Sequence, residues 1–313
     1  MDGYDIIGDI HGREAELRAL LTRVGYREED QVWHHPRRKA LFIGDFIDRD
    51  PARGVLNMVR AMVRHGTALA IMGNHELNAI AYDTPDPNDP EQYLRPHSEK
   101  NREQHAVFRG EFESDPDLLK DTIAWFKTLP AWLDLGELRA VHASWYAPGL
   151  QDLAALTGPR NEFTEEAIVA VHRKNTPEHE AMENVLKGVE AELPGGITFR
   201  DKGGHERDRV RLKWWLNDDG LTWPDAALGP PELQEQLPRQ PLPHVDAQNL
   251  GYPEDAPPVF VGHYWLDGEP RPQASNVACV DYSVGMLGGR LVAYRWSGEG
   301  RLREREFVHV SRS

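Results

Sequence analysis

Within the first 76 residues, three short polar strings each close an apolar run: Gly8-Asp9-Ile10-His11-Gly12, Gly44-Asp45-Phe46-Ile47-Asp48-Arg49 and Gly73-Asn74-His75-Glu76. They offer carboxylate and amide oxygens, imidazoles and one arginine. Such oxygen and nitrogen donors suit Mn, Fe or Zn better than Ca, and two such ions are the usual means of hydrolysing a phosphate ester. Further along, His142 ends the run Leu138-Arg139-Ala140-Val141, and Gly262-His263 ends Val259-Phe260-Val261. Taken singly, each residue has another reading. Asp9 or Asp45 would also cap a following helix, His142 or His263 would pass for a core histidine, and Arg49 for half of a surface ion pair.

The elements that must position these residues alternate. Tyr4 to Ile7, Ala40 to Ile43 and Ala68 to Met72 read as strands, with helices over Arg13 to Val24 and Arg53 to Val63. In the second helix Val55, Met58, Val59, Met62 and Val63 recur at helical spacing. Each motif therefore follows the carboxyl end of a strand, where open α/β sheets keep their ligand sites. Two stretches interrupt the pattern. Residues 83–100, rich in Pro, Asp and Asn, read as a surface loop with helical segments beyond to about Leu129. In the second, Thr176-Pro177-Glu178 supplies a cap, a first-turn proline and an early acid, predicting a helix to about Leu193. Gly229 to Pro258 carries eight prolines in thirty residues, which argues against regular structure and leaves an ordered loop, a lid or a solvated connector.

In this order the motifs resemble those of the calcineurin-like metallophosphoesterases, most closely the phosphoprotein phosphatase branch with its bacterial serine/threonine phosphatases and symmetrical diadenosine tetraphosphatases. The resemblance covers roughly residues 4–82, 137–143 and 259–295. It implies an α/β (α+β) chain with a four-layer fold, a central β-sandwich flanked by helices. It further implies one domain over 1–313 with insertions at about 83–130 and 147–258. Two divalent ions are implied, Mn foremost, with Fe or Zn as alternatives. Asp9 and His11 would hold the first ion, Asp45 would bridge, and Asn74, His142 and His263 would hold the second. By the same resemblance, a hydroxide bridging the ions attacks phosphorus in line. His75 protonates the leaving oxygen, Asp48 orients His75, and Arg49 and Asn74 bind the phosphoryl group.

The implied substrate is a phosphomonoester on a protein or a small phosphorylated metabolite or nucleotide. The alternatives are a symmetrical diadenosine tetraphosphate hydrolase and, more remotely, a non-catalytic phosphate-binding module. The branch's second phosphate-binding arginine usually lies between the two late histidines, where Arg200, Arg207, Arg209 and Arg211 compete. Some positions depart from the family pattern. Ala143 and Asp50 stand where it usually has Gly, Tyr282-Ser283 follows Asp281 in place of Thr-Gly, and His263 lacks the second histidine of a Gly-His-x-His pattern.

Composition narrows the partners. The chain has 313 residues, 40% of them hydrophobic, enough for a sizeable core, and a net charge of −15, which would repel long nucleic acids. Bound dications would reverse that sign locally, so phosphorylated substrates stay open. The single cysteine, Cys279, sits in an apolar run and reads as a buried small side chain with no intrachain disulfide. The first motif follows the amino terminus closely, and no apolar run approaches a membrane span. Cytoplasmic residence without membrane contact is the expectation. No Gly-x-Ser-x-Gly elbow surrounds Ser144 and no Walker A loop occurs, which argues against a serine hydrolase or a P-loop enzyme.

Overall fold

A computed structural model describes residues 2–218, 220–243 and 250–313. Its first sheet is built on three parallel strands, β1 (Gly3–Ile7), β2 (Arg38–Phe42) and β3 (Ala68–Ala70). Its second contains β4 (Trp132–Asp134), β5 (Arg139–Val141), β6 (Val259–Val261) and β7 (Val277–Cys279) in the order β7-β6-β5-β4, with β6 parallel to both β5 and β7. The chain then returns to the first sheet through β8 (Asp281–Tyr282), β9 (Arg290–Trp296) and β10 (Phe307–Ser311). That sheet runs β8-β9-β1-β2-β3, with β10 also paired to β9.

Strand alternation explains why the two sheets stack. Ile6, Leu41 and Tyr294 of the first sheet meet Ala140, Phe260 and Ala278 of the second in one apolar cluster. The Phe260 and Tyr294 rings lie 5.1 Å apart across it. Their sequence neighbours Ile7, Phe42, Ala293, Val261 and Cys279 point the other way, as a period of two requires, and join a cluster that includes the helices. Helices α1 (Glu14–Arg23) and α2 (Arg53–Arg64) cover the outside of the first sheet. In α2, Val55, Leu56, Met58, Val59 and Met62 are buried while Arg53, Asn57 and Arg64 face water, as the helical spacing predicts. The sandwich flanked by helices is thus present, and Cys279 is buried and free as expected.

The remaining helices used below are α3 (Asn74–Asp83), α4 (Glu99–Gly110), α5 (Pro116–Phe126) and α6 (Pro177–Lys187). Thr176 caps α6, its hydroxyl oxygen accepting from the His179 N–H at 3.2 Å. The expected helix to Leu193 is too long. It stops at Lys187 because Gly188 takes φ 89°, and Glu190–Glu192 is already a strand. The expected loop at 83–100 contains a short antiparallel ribbon, Pro85–Asp86 with Asp89–Tyr93, before α4 begins. Within the proline-rich stretch, Pro231–Gln236 forms one short helix started by its own prolines. Residues 244–249 of that stretch lie outside the described residues. Among the described residues, no helix is long and apolar enough to cross a membrane.

Candidate metal centre

The carboxyl ends of β1, β2 and β3 converge with those of β5 and β6, and backbone contacts lock the loops together. The N–H groups of Ile10 and His11 both donate to the Asp45 carbonyl, at 3.0 and 2.9 Å, and Gly12 N–H donates to Phe46 O at 2.9 Å. Glu76, buried at the start of α3, ties the second loop to the third. Its carboxylate accepts from the N–H groups of Asp45 (2.9 Å), Phe46 (2.8 Å) and Gly73 (3.0 Å). The approach is close enough that a Cβ on Gly44 would lie 2.4 Å from the Gly73 nitrogen, so the glycines in these motifs are steric necessities.

Several non-glycine residues here take left-handed backbone angles: His11 (φ 49°), Asp45 (51°), Asp48 (64°), Arg49 (72°), His263 (71°) and Trp265 (51°). Such conformations cost roughly 1–3 kcal/mol each and persist only where the surroundings overdetermine them. All of these except Trp265 are residues that the motifs had singled out.

All six expected ligands come together, and all are buried. His11 donates Nδ1–H to the Ile47 carbonyl (3.0 Å), and His142 donates Nδ1–H to the Ile43 carbonyl (2.7 Å). A carbonyl only accepts, so each ring presents an unprotonated Nε2 when neutral. His142 Nε2 lies 3.3 Å from Asp45 Oδ2 and 3.2 Å from Asn74 Oδ1, and His263 Nδ1 lies 2.8 Å from the same Asn74 oxygen. His11 Nε2 is 3.9 Å from Asp45 Oδ2. Two clusters of metal-binding type result, His11–Asp45–His75 and Asp45–His142–His263, with Asp45 common to both. Asp9 borders them, its carboxylate accepting from the His263 N–H at 3.2 and 3.1 Å. A Cβ on Gly262 would strike Asp9 Oδ1 at 2.1 Å, which explains the glycine before His263.

The donor set fits divalent ions. Atoms about 2.1 Å from one ion sit roughly 3 Å from each other, as the Asp45, Asn74, His142 and His263 atoms do. The Nε2 atom of His11 is buried with no hydrogen-bond partner among the described residues, a cost that a metal would remove. Charge points the same way. Burial and then the carboxylates of Asp281 and Asp45 push the Asp9 carboxyl well above the usual range, and burial with Asp45 lifts Glu76 to about 7. So many buried acids repel each other unless cations lie among them. Burial, with the charge of His75, lowers His11 to about 4, keeping it neutral and ligand-ready.

The residues expected to handle substrate stand beside this cluster. His75 Nδ1–H donates to Asp48 Oδ2 at 2.5 Å, and its Nε2 lies 3.8 Å from Asp45 Oδ2. Burial opposes charge on His75, yet Asp45 and Asp48 more than offset it and raise the ring to about 9. Arg49 makes no ion pair among the described residues; its guanidinium stacks 4.1 Å over the Trp265 ring, with Met286 Sδ at 3.9 Å. Asp50, the acid in place of glycine, is held by Arg13 at 2.6 Å, so it does not capture Arg49.

Of the four later arginines, Arg211 is the one whose charge depresses the His263 ring, an effect second to burial. Arg207 is tied to Asp201, Arg200 to a loop carbonyl and Arg209 to Glu190, while Arg211 Nε donates to Lys187 O at 3.1 Å and lies 3.7 Å from Glu190. Trp214 and Trp215 are core residues, the Trp214 indole N–H donating to Ala143 O. Ser144 spends its hydroxyl on Asn184 O. Sequence reading missed the ties made by Glu76, the stacking role of Trp265, and His105 and Gln104 of α4. Glu76 lay inside a motif already in view. His105 had no local signal at all.

The family model for the calcineurin-like phosphoesterases matches residues 4–223. The chain belongs to that family. Among curated relatives, it is 43% identical over 74 residues to an asymmetrical bis(5'-nucleosyl)-tetraphosphatase PrpE of Anoxybacillus flavithermus, and 40% identical over 74 residues to the PrpE of Halalkalibacterium halodurans. Each match takes in 23% of this chain and 30% of the relative, so the chain spans less than a third of these relatives' length. A solved cold-active protein tyrosine phosphatase aligns with a TM-score of 0.50 at 14% identity, covering 99% of this chain and 80% of that one. At that identity the likeness concerns the fold alone.

Proposed function

We propose that this chain is a metal-dependent phosphoesterase that hydrolyses phosphomonoesters, with His75 as general acid. The observation that carries the reading is the His75–Asp48 pair beside a buried cluster of donor atoms, with Arg49 uncommitted to any acid among the described residues. Asp9, His11, Asp45, Asn74, His142 and His263 are the residues that would hold two divalent ions, in one domain built from both sheets. Bound there, such ions would supply Lewis-acid activation of water and of the phosphoryl oxygens.

The chain's own residues account for the remaining work. Nδ1 of His75 is engaged by Asp48, so Nε2–H on the Asp45 side is the proton available to a leaving oxygen. Arg49 offers a planar fork of donors that suits two phosphoryl oxygens, and the Trp265 face restrains its swing. Arg211 is our choice for the second arginine, since its charge reaches His263.

A second reading has its own support. The relatives named above are asymmetrical, not symmetrical, bis(5'-nucleosyl)-tetraphosphatases. The product pair to seek beside ADP is therefore ATP with AMP. The test is one reaction containing Mn-loaded protein, a phosphoserine peptide and diadenosine tetraphosphate, resolved by chromatography. Inorganic phosphate with dephosphorylated peptide supports the phosphomonoesterase. ATP and AMP, or ADP alone, with the peptide untouched would move the chain to the dinucleotide hydrolases. No turnover of either, nor of 4-nitrophenyl phosphate, would leave only a phosphate-binding module.

A further inference from the structure

Helix α4 delivers a second histidine to Asp48. We propose that His105 is a positioning residue that fixes the Asp48 carboxylate, so that Asp48 in turn holds His75 in acid geometry. The proposal rests on the reading of His75 given above.

Asp48 has two oxygens and both are used. Oδ2 accepts from His75 Nδ1 at 2.5 Å, and Oδ1 accepts from His105 Nδ1 at 3.1 Å. Among the described residues, no other side chain donates to Oδ1. Without His105, a buried carboxylate oxygen would lack a donor and the group would be free to turn about its own axis. Burial raises the cost of charge on Asp48, but the hydrogen bonds from His105 and His75 outweigh it and hold the carboxyl well below its usual range. An ionised carboxylate only accepts, so both rings must present Nδ1–H to it.

His105 is itself immobilised. Only 1% exposed, it meets the Tyr82 ring edge-on at 5.3 Å. Tyr82 stacks on His97 at 3.9 Å, and His97 stacks on Tyr93 at 4.1 Å. The preceding residue of α4 packs beside the other partner: Gln104 Nε2 lies 3.4 Å from His75 Nδ1, a contact between two donors and not a hydrogen bond, while its Oε1 accepts from Arg95 at 2.8 Å. Of these two consecutive residues, only His105 makes a hydrogen bond to the pair. Asp48 also needs an anchor, because it and Arg49 hold left-handed backbone angles side by side.

The test uses Mn-loaded full chain and two aryl phosphates, phenyl phosphate with a poor leaving group and 2,4-dinitrophenyl phosphate with a good one. His105→Ala, and His105→Phe, which keeps a ring but removes the donor, should lower kcat on phenyl phosphate by roughly 10-fold or more. On the dinitrophenyl ester they should change it little, with KM and metal content constant. His105→Asn, whose amide N–H can take the place of Nδ1–H, should recover most of the loss. In a His75→Ala background, His105→Phe should cost nothing further. Equal losses on both esters, or an added loss in that background, would overturn the proposal. If His75→Ala itself shows no leaving-group dependence, the acid reading falls. If it does and the His105 variants do not, the brace alone falls.

Discussion

The loops at the strand ends hold their side chains through backbone closeness, whereas α4 reaches the same site through side chains from a distant part of the chain. His11, Asp45 and Asn74 lie within a few residues of strands whose parallel pairing already sets their spacing. Their turns are cross-linked by main-chain N–H groups donating to the Asp45 and Phe46 carbonyls. His105, Gln104 and Arg95 depend instead on how the stretch 83–130 packs against α3, with rings and amides as the contacts. The first arrangement is rigid and tolerates no added Cβ. The second rests on side-chain contacts, which single substitutions can remove with the strand-end loops left in place. Damage to the strand-end loops should therefore abolish activity, and damage to α4 should only tune it.

The largest expected effect is at the shared ligand. Asp45→Asn should lose bound metal and activity together, read by elemental analysis beside turnover; two ions per chain retained would break the assignment of Asp45 as the bridge. Next, His75→Ala should keep the metal and lower turnover on a poor leaving group by roughly 10²–10⁴-fold. An unchanged rate there would remove His75 from the chemistry. Arg49→Lys keeps the charge but loses the bidentate fork and the stacking on Trp265, so kcat/KM should fall about 10–100-fold. A smaller change would mean that Arg211 carries the phosphoryl contact. The His105 variants come after these, with their loss confined to poor leaving groups.

The smallest effect concerns stability in the helical stretch around Glu165–Val171, which His172 caps. His172 donates Nδ1–H to Ile168 O at 2.7 Å, and burial, with the nearby Lys187 charge, lowers its ring to about 4. Its unfolded value is near 6.5. As pH falls, the unfolded chain takes up the proton first, so stability is lost between about 6.5 and 4 and no further below. The loss would reach at most about 3 kcal/mol. Urea denaturation of the parent and His172→Gln at pH 7 and pH 4.5 should show a smaller pH penalty in the variant. Equal penalties would show that this ring does not report on the packing of the helical stretch.

Much of the site was legible because the relevant information was local. A strand, a tight glycine turn and a polar residue within five positions leave few alternatives, and His11, Asp45, Asn74, His142 and His263 lie together with Asp9 at their border. The helix over 53–63 was legible for a similar reason, since its apolar period decides which face is buried. Other readings failed where packing prevailed over composition. Polar residues at 83–100 suggested a loop, yet Asp89–Tyr93 pairs with Pro85–Asp86. The helix from Pro177 ended early because Gly188 could leave the helical backbone and Ala191 could pair with Val210.

The sequence by itself determined the donor types, their order and their places at strand ends, because parallel strands bring successive carboxyl ends to one edge. Only the tertiary structure decided that Arg13 takes Asp50 away from Arg49 and that Trp265 stacks on Arg49. It alone placed His105 against Asp48, 57 residues away in sequence. Such pairings depend on the direction of side chains on elements packed from far along the chain. No local period or spacing encodes that direction; the closure of the shared core sets it.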